Sequence, residues 1–207
     1  MKILVSILVF GAVLGGLSSF GIIGAASSPL DSQEIQRLTS LPLEPIQQSM
    51  SVSQAYRAIP HDQQTFRLNQ SVLQDIEAEY LDQAFALVDL AVVERVSLLR
   101  AVQREGNQSL PLNNYEQILK RFLVLSVPPR LDYFHQQVAA AISEEHAYYM
   151  GLRKQLSVAA VNRSHPLIQR LHRRLWASYQ FLVSEYPQES ANNQQAFFQH
   201  LCALDFI

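Results

Sequence analysis

Leu81-Asp-Gln-Ala-Phe-Ala-Leu-Val-Asp-Leu-Ala-Val-Val-Glu-Arg-Val-Ser-Leu-Leu-Arg-Ala-Val102 is the stretch on which the fold turns. Its apolar residues Leu81, Phe85, Val88, Val92, Val96, Leu99 and Val102 recur at three and four residues, the period of one face of an α-helix. Between Ala84 and Val93 they spread around most of the circumference. The spacing therefore predicts a long helix packed on more than one side, the spine of its domain. Ser71 and Gln74 have the spacing of a capping box and place its start. Gly106 and Asn107, which tolerate the left-handed conformation, place its end.

The same period continues toward the carboxyl terminus. Asn113 or Asn114 is placed to cap a second, shorter helix carrying Tyr115, Ile118, Leu119, Phe122, Leu123 and Leu125, which stops before Pro128 and Pro129. A third follows with Leu131, Phe134, Val138, Ile142, Tyr149, Leu152 and Leu156, running to about Val161. Ser164 is placed to cap a fourth, with Pro166 in its first turn and Leu167, Leu171, Leu175, Tyr179 and Leu182 on one face. Ser190 is placed to cap a last helix through Phe197, Phe198, Leu201 and Leu204. No stretch alternates with period two and no Asn-Gly or Asp-Gly hairpin occurs. The expected class is all-α: an antiparallel bundle of four to five helices around a long central one, spanning residues 66–207.

Toward the amino terminus the character changes. Residues 29–65 contain Pro29, Pro42, Pro45 and Pro60 among many Ser and Gln, and read as an extended tether with at most one short helical turn. Before them, Ile3 to Leu30 holds no charged residue; Lys2 precedes it, and the apolar run lightens into Ser18, Ser19, Gly21, Gly24, Ala25 and Ala26. That order is the order of an export signal. Residues 1–28 are expected to be either a signal peptide cut after Ala26 or an uncleaved anchor with residues 3–26 crossing the membrane, since the roughly 20 apolar residues a span needs are there. In either case the domain is expected to be exported: membrane-anchored facing away from the cytosol, or secreted or periplasmic. No cysteine follows the run, which excludes a lipoprotein anchor.

Composition removes several function classes. The net charge of −2 offers no sustained basic surface, so no nucleic-acid partner is expected. One cysteine, Cys202, permits no internal disulfide and no paired-cysteine zinc site, and its place among Phe197, Phe198, Leu201 and Leu204 predicts a buried, inert thiol. None of the six histidines has another four residues away, none has Glu three residues before it, and there is no GxSxG and no phosphate-cradling glycine loop. No metal, no cofactor and no enzymatic activity are expected.

Two candidate sites remain. Glu145 interrupts the apolar stripe of the third helix, where a carboxylate needs a partner such as Arg95 or Arg100. With His146 and Tyr148 it could line a polar, ligand-binding pocket inside the bundle. On the fourth helix, Arg163, Arg170 and Arg174, beside Arg173, Trp176 and Tyr179, form a candidate surface for anionic lipid or another anion. The leading expectation is a helical domain that acts through protein contacts, by self-association or as an assembly or accessory subunit. A small-molecule or metal-binding bundle and a lipid-contacting peripheral domain are the alternatives.

Overall fold

The structure is a computed structural model describing residues 32–40, 42–59, 61–105, 112–153 and 162–205. These form seven α-helices and no strand: α1 (Ser32–Ser40), α2 (Val52–Ala58), α3 (Asp75–Glu105), α4 (Asn113–Leu123), α5 (Asp132–Arg153), α6 (Pro166–Glu185) and α7 (Ala191–Asp205), with short 3-10 turns at Leu68–Gln70 and Pro129–Leu131. The all-α class is thereby established.

α3 is the spine. It runs for 31 residues, and every residue from Ala91 to Val96 is buried, which one face of a helix cannot achieve alone. α2, α4 and α7 supply the covering surfaces, and α5 packs between α4 and α6. Where α3 meets α7 the core is aromatic: Phe85 lies 5.9 Å from Phe197, Phe66 stacks on the same Phe197 at 5.7 Å, and Phe134 of α5 meets Phe85 edge-on at 6.1 Å. Buried rings of this kind cost about 3–5 kcal/mol when cut back to alanine.

The described part of residues 29–65 is not an extended tether. α1 packs on α4 and α2 on α3, and Leu38, Ala55, Tyr56 and Ile59 are buried. The prolines bound two short helices instead of abolishing them. α2 has the capping box expected at Ser71: Ser51 Oγ accepts from Gln54 N–H, and the Gln54 side chain accepts from Ser51 N–H. Its apolar positions, Val52, Ala55, Tyr56 and Ile59, fit a single helical face but fill barely two turns.

Other boundaries move for similar reasons. Ser71 donates to Glu189 instead of capping, so α3 starts at Asp75. Neither Asn113 nor Asn114 caps α4, whose cap position is Leu112. His165, not Ser164, caps α6, its Nδ1 accepting from Leu167 N–H at 3.2 Å, with Pro166 first in the helix as expected. Ser190 does cap α7, through Asn193 N–H. The stretch from 154 to 161 expected to complete the third helix lies outside the described residues, as does the leader from Ile3 to Ala26. Among the described residues no helix is long and apolar enough to cross a membrane.

Two asparagines tie non-helical segments to this body by their main chain. Asn193 Oδ1 accepts from Arg67 N–H at 2.9 Å while its Nδ2 donates to Arg67 O at 3.1 Å. Asn114 does the same to Gln47, at 3.3 Å and 2.9 Å.

Candidate functional site

Glu145 reaches the centre of the domain. It and Arg95 are wholly buried, with Arg95 Nε 3.9 Å from Glu145 Oε1. That is charge proximity without a hydrogen bond, and both carboxylate oxygens, Arg95 Nε and the Tyr149 hydroxyl lack hydrogen-bond partners. The two Nη atoms of Arg95 point elsewhere, donating to the carbonyls of Ala203 and Leu204 in the last turn of α7. Burial, only partly opposed by Arg95 and the Tyr115 hydroxyl, pushes the Glu145 carboxyl up to about 7.

His146 and Tyr148 do not join it. At about 100° per residue, consecutive helical positions point in different directions. His146 stacks on Tyr115 of α4, with 6.1 Å between ring centres, and its pKa is lowered by burial. Tyr148 turns toward the start of α6: its hydroxyl accepts from Asn162 N–H at 2.8 Å, and its ring meets His165 edge-on. The three residues read together from the sequence thus point in three directions, although Tyr115, on which His146 stacks, also lies against the Glu145 carboxyl.

The arginines divide as well. Arg170 Nε donates to Glu144 Oε1 at 2.8 Å, and Arg174 Nε donates to Glu144 Oε2 at 3.2 Å while its Nη1 donates to Gln137. Glu144 is buried, so two of the three arginines neutralise a carboxylate of their own chain. Arg163 is exposed and precedes α6, its carbonyl accepting from Gln169.

A second buried cluster joins three elements. The Tyr56 hydroxyl donates to Asp89 Oδ1 at 2.7 Å, His200 Nδ1 lies 2.7 Å from the same oxygen, and the His200 ring stacks on Phe85 at 4.6 Å. It bonds α2, α3 and α7 through one carboxylate. Among the described residues no group of three or more His, Cys, Asp or Glu is placed to hold a metal ion.

A large concavity lies apart from both predicted sites. The segment around residues 44–50, the second half of α3 and the start of α4 enclose a cleft of about 820 Å³ whose walls include Gln47, Ser49, Glu94, Ser97, Arg100, Gln103, Asn114 and Gln117. Asn114 is its centre: besides holding Gln47, its Nδ2 donates to Glu94 Oε2 at 3.0 Å. Glu94 is buried, and burial raises its pKa against the opposing effect of that amide. Three residues later Gln117 Oε1 accepts from Glu44 N–H at 2.9 Å, and four further on Arg121 Nη2 donates to Glu44 O at 2.8 Å. Ser97 spends its hydrogen on Val93 O, so the short contact between Ser49 and Ser97 has Ser49 as donor. One face of α4 is therefore a ladder of side chains that grips non-helical main chain.

Neither Glu94 nor Asn114 stands out in the sequence. A signal did exist: Glu94 follows directly on the apolar run Leu90-Ala-Val-Val93 of the spine, as Glu145 lies in the stripe of α5. Comparison of the chain with protein families, with curated proteins and with solved structures returned no match.

Proposed function

We propose that this chain is a non-catalytic binding module, an antiparallel helical bundle exported by its apolar leader, and that its partner is an extended stretch of another polypeptide taken up in the cleft beside Glu94. The observation that carries the reading is the side-chain ladder of α4. Asn114, Gln117 and Arg121 already engage the main-chain groups of Glu44 and Gln47, and hydrogen bonds to main chain are how extended peptides are held in general. The adjoining cleft, about 820 Å³, falls in the size range of ligand-binding clefts and continues the same wall of amides and hydroxyls.

A photo-crosslinking residue at Gln117, compared with one at the exposed Arg173 on α6, tests this in the native cell. A discrete adduct from position 117 alone supports the reading. Equal labelling at both positions, or none at 117, overturns it. A small hydrogen-bonding molecule is the second reading, favoured by Glu94, which accepts one bond from Asn114; native mass spectrometry would then show a non-peptide mass lost in E94A. Export is tested on the same material: the domain is open to protease added outside the cytosol. A start at Ser27 marks a cut leader, and an intact leader marks an anchor.

A further inference from the structure

On the far side of α7, the single thiol of the chain has a partner no spacing rule would find. Cys202 is half-buried rather than sealed in the core as its apolar neighbours suggest. Its Sγ lies 3.6 Å from His61 Nε2, and His61 Nδ1 lies 3.1 Å from Gln199 Oε1. A carbonyl oxygen only accepts, so Nδ1 carries the proton and Nε2 presents its lone pair to the thiol, which donates to it. This is a nucleophile against a base, with the base oriented by a third group. The same Cys202 forms part of the wall of a separate cleft of about 140 Å³ between α6 and α7, where Leu175, Trp176, Tyr179, Phe198 and Leu201 supply the apolar lining. His172 and Asp205, 2.6 Å apart, form its polar side, and its volume is close to that of a cavity that accommodates a benzene-sized group. Trp176 is 52% exposed at its lip, so the cleft is open to solvent.

We propose that Cys202 is an acyl-accepting thiol: with His61 as its base, it takes a short apolar acyl group from a thioester or activated ester, and the alkyl part of that group seats in the α6–α7 cleft. Sγ attacks the acyl carbon and the S–C bond forms. The bond from that carbon to the leaving group breaks, and the thiol proton passes to His61 Nε2 and from there to the departing thiolate or alkoxide. No redox partner is needed. Burial and the neighbouring Asp205 raise the pKa of the thiol, so at neutral pH it is protonated and must lose its proton during the attack, which is the task the His61 lone pair is placed to perform. Gln199 is a positioning residue that keeps that lone pair facing the sulfur.

The full chain is treated at pH 7 with p-nitrophenyl butyrate and, separately, with the acetate. One equivalent of nitrophenolate is released per chain, the butyryl group is found on the Cys202 peptide, and the reaction outruns that of the urea-unfolded chain. His61→Ala slows it at least about tenfold, the low end of what a positioned base supplies, and added imidazole restores part of the butyryl transfer to the Cys202 peptide. Gln199→Leu slows it, while Gln199→Glu, which keeps an acceptor, does not. Trp176→Ala, at an exposed position, erases the preference for butyrate over acetate. A wild-type rate no greater than that of the unfolded chain, an acyl group on another residue, or equal rates for wild type and H61A overturns the proposal.

Discussion

Replacing Glu145 by Gln decides whether the centre of the domain holds an ion pair or a carboxyl kept neutral, and the two cases differ in sign. The carboxyl is wholly buried, has no well-formed hydrogen bond beyond the approach of the Tyr115 hydroxyl, and has Arg95 at 3.9 Å with the Nη atoms of that guanidinium committed to α7. Its pKa rises from 4.5 to about 7 on folding. The folded chain thus binds this proton more tightly than the unfolded one, unfolding releases it between pH 4.5 and 7, and stability falls as pH rises through that window. At about 1.4 kcal/mol per pH unit, the contribution is fully present below pH 4.5 and about 3 kcal/mol is lost once pH exceeds 7. Glutamine has no such proton. Urea unfolding of both chains from pH 4.5 to 8 should show E145Q gaining on wild type by about 3 kcal/mol, or roughly 6–12 °C in Tm for a domain of this size. A difference that does not change with pH refutes the reasoning. So does an E145Q chain that is about 3–5 kcal/mol less stable than wild type at pH 8, the cost of breaking a true buried pair.

Four further substitutions probe the other clusters. Glu144→Ala leaves the buried Arg174 without its carboxylate and should cost about 3–5 kcal/mol in urea unfolding. Arg170→Ala removes a half-exposed partner of the same carboxylate and should cost less than about 1 kcal/mol. Asn114→Ala strips the main chain of Gln47 of both its bonds and Glu94 of one; hydrogen exchange at the Gln47 amide should quicken, with about 1–3 kcal/mol lost overall. Tyr56→Phe removes the hydroxyl from Asp89 but leaves His200 on it, and should cost about 2 kcal/mol with the fold intact by circular dichroism.

The spine of the fold is legible in the sequence because its apolar residues repeat over 31 residues, long enough for a helical period to stand out. α2 is not, because seven residues hold too few repeats to separate its face from a polar, proline-bounded background. Caps are legible only where the local competition is weak: Ser190 caps α7, whereas Ser71 is drawn off by Glu189, which arrives from 118 positions away. Site residues divide on the same principle. Glu145 shows itself by interrupting a stripe, and its neighbour Arg95 by lying in the spine. That His146 and Tyr148 leave it follows from helical geometry alone. The meeting of His61 with Cys202 spans 141 positions and comes from tertiary packing, as does the cleft at Glu94, where one wall is held mainly through its main chain.

The two asparagine clamps have a consequence for how the chain can be rewritten. Asn114 and Asn193 hold Gln47 and Arg67 through peptide groups that every residue except proline possesses in full. The grip is blind to the side chain at the gripped position, so drift there is tolerated while the asparagines themselves are not free to change. Gln47 is therefore a natural place to graft an epitope or a reporter: an inserted side chain would stand at the mouth of the cleft, in a register set by α4 and not by its own chemistry.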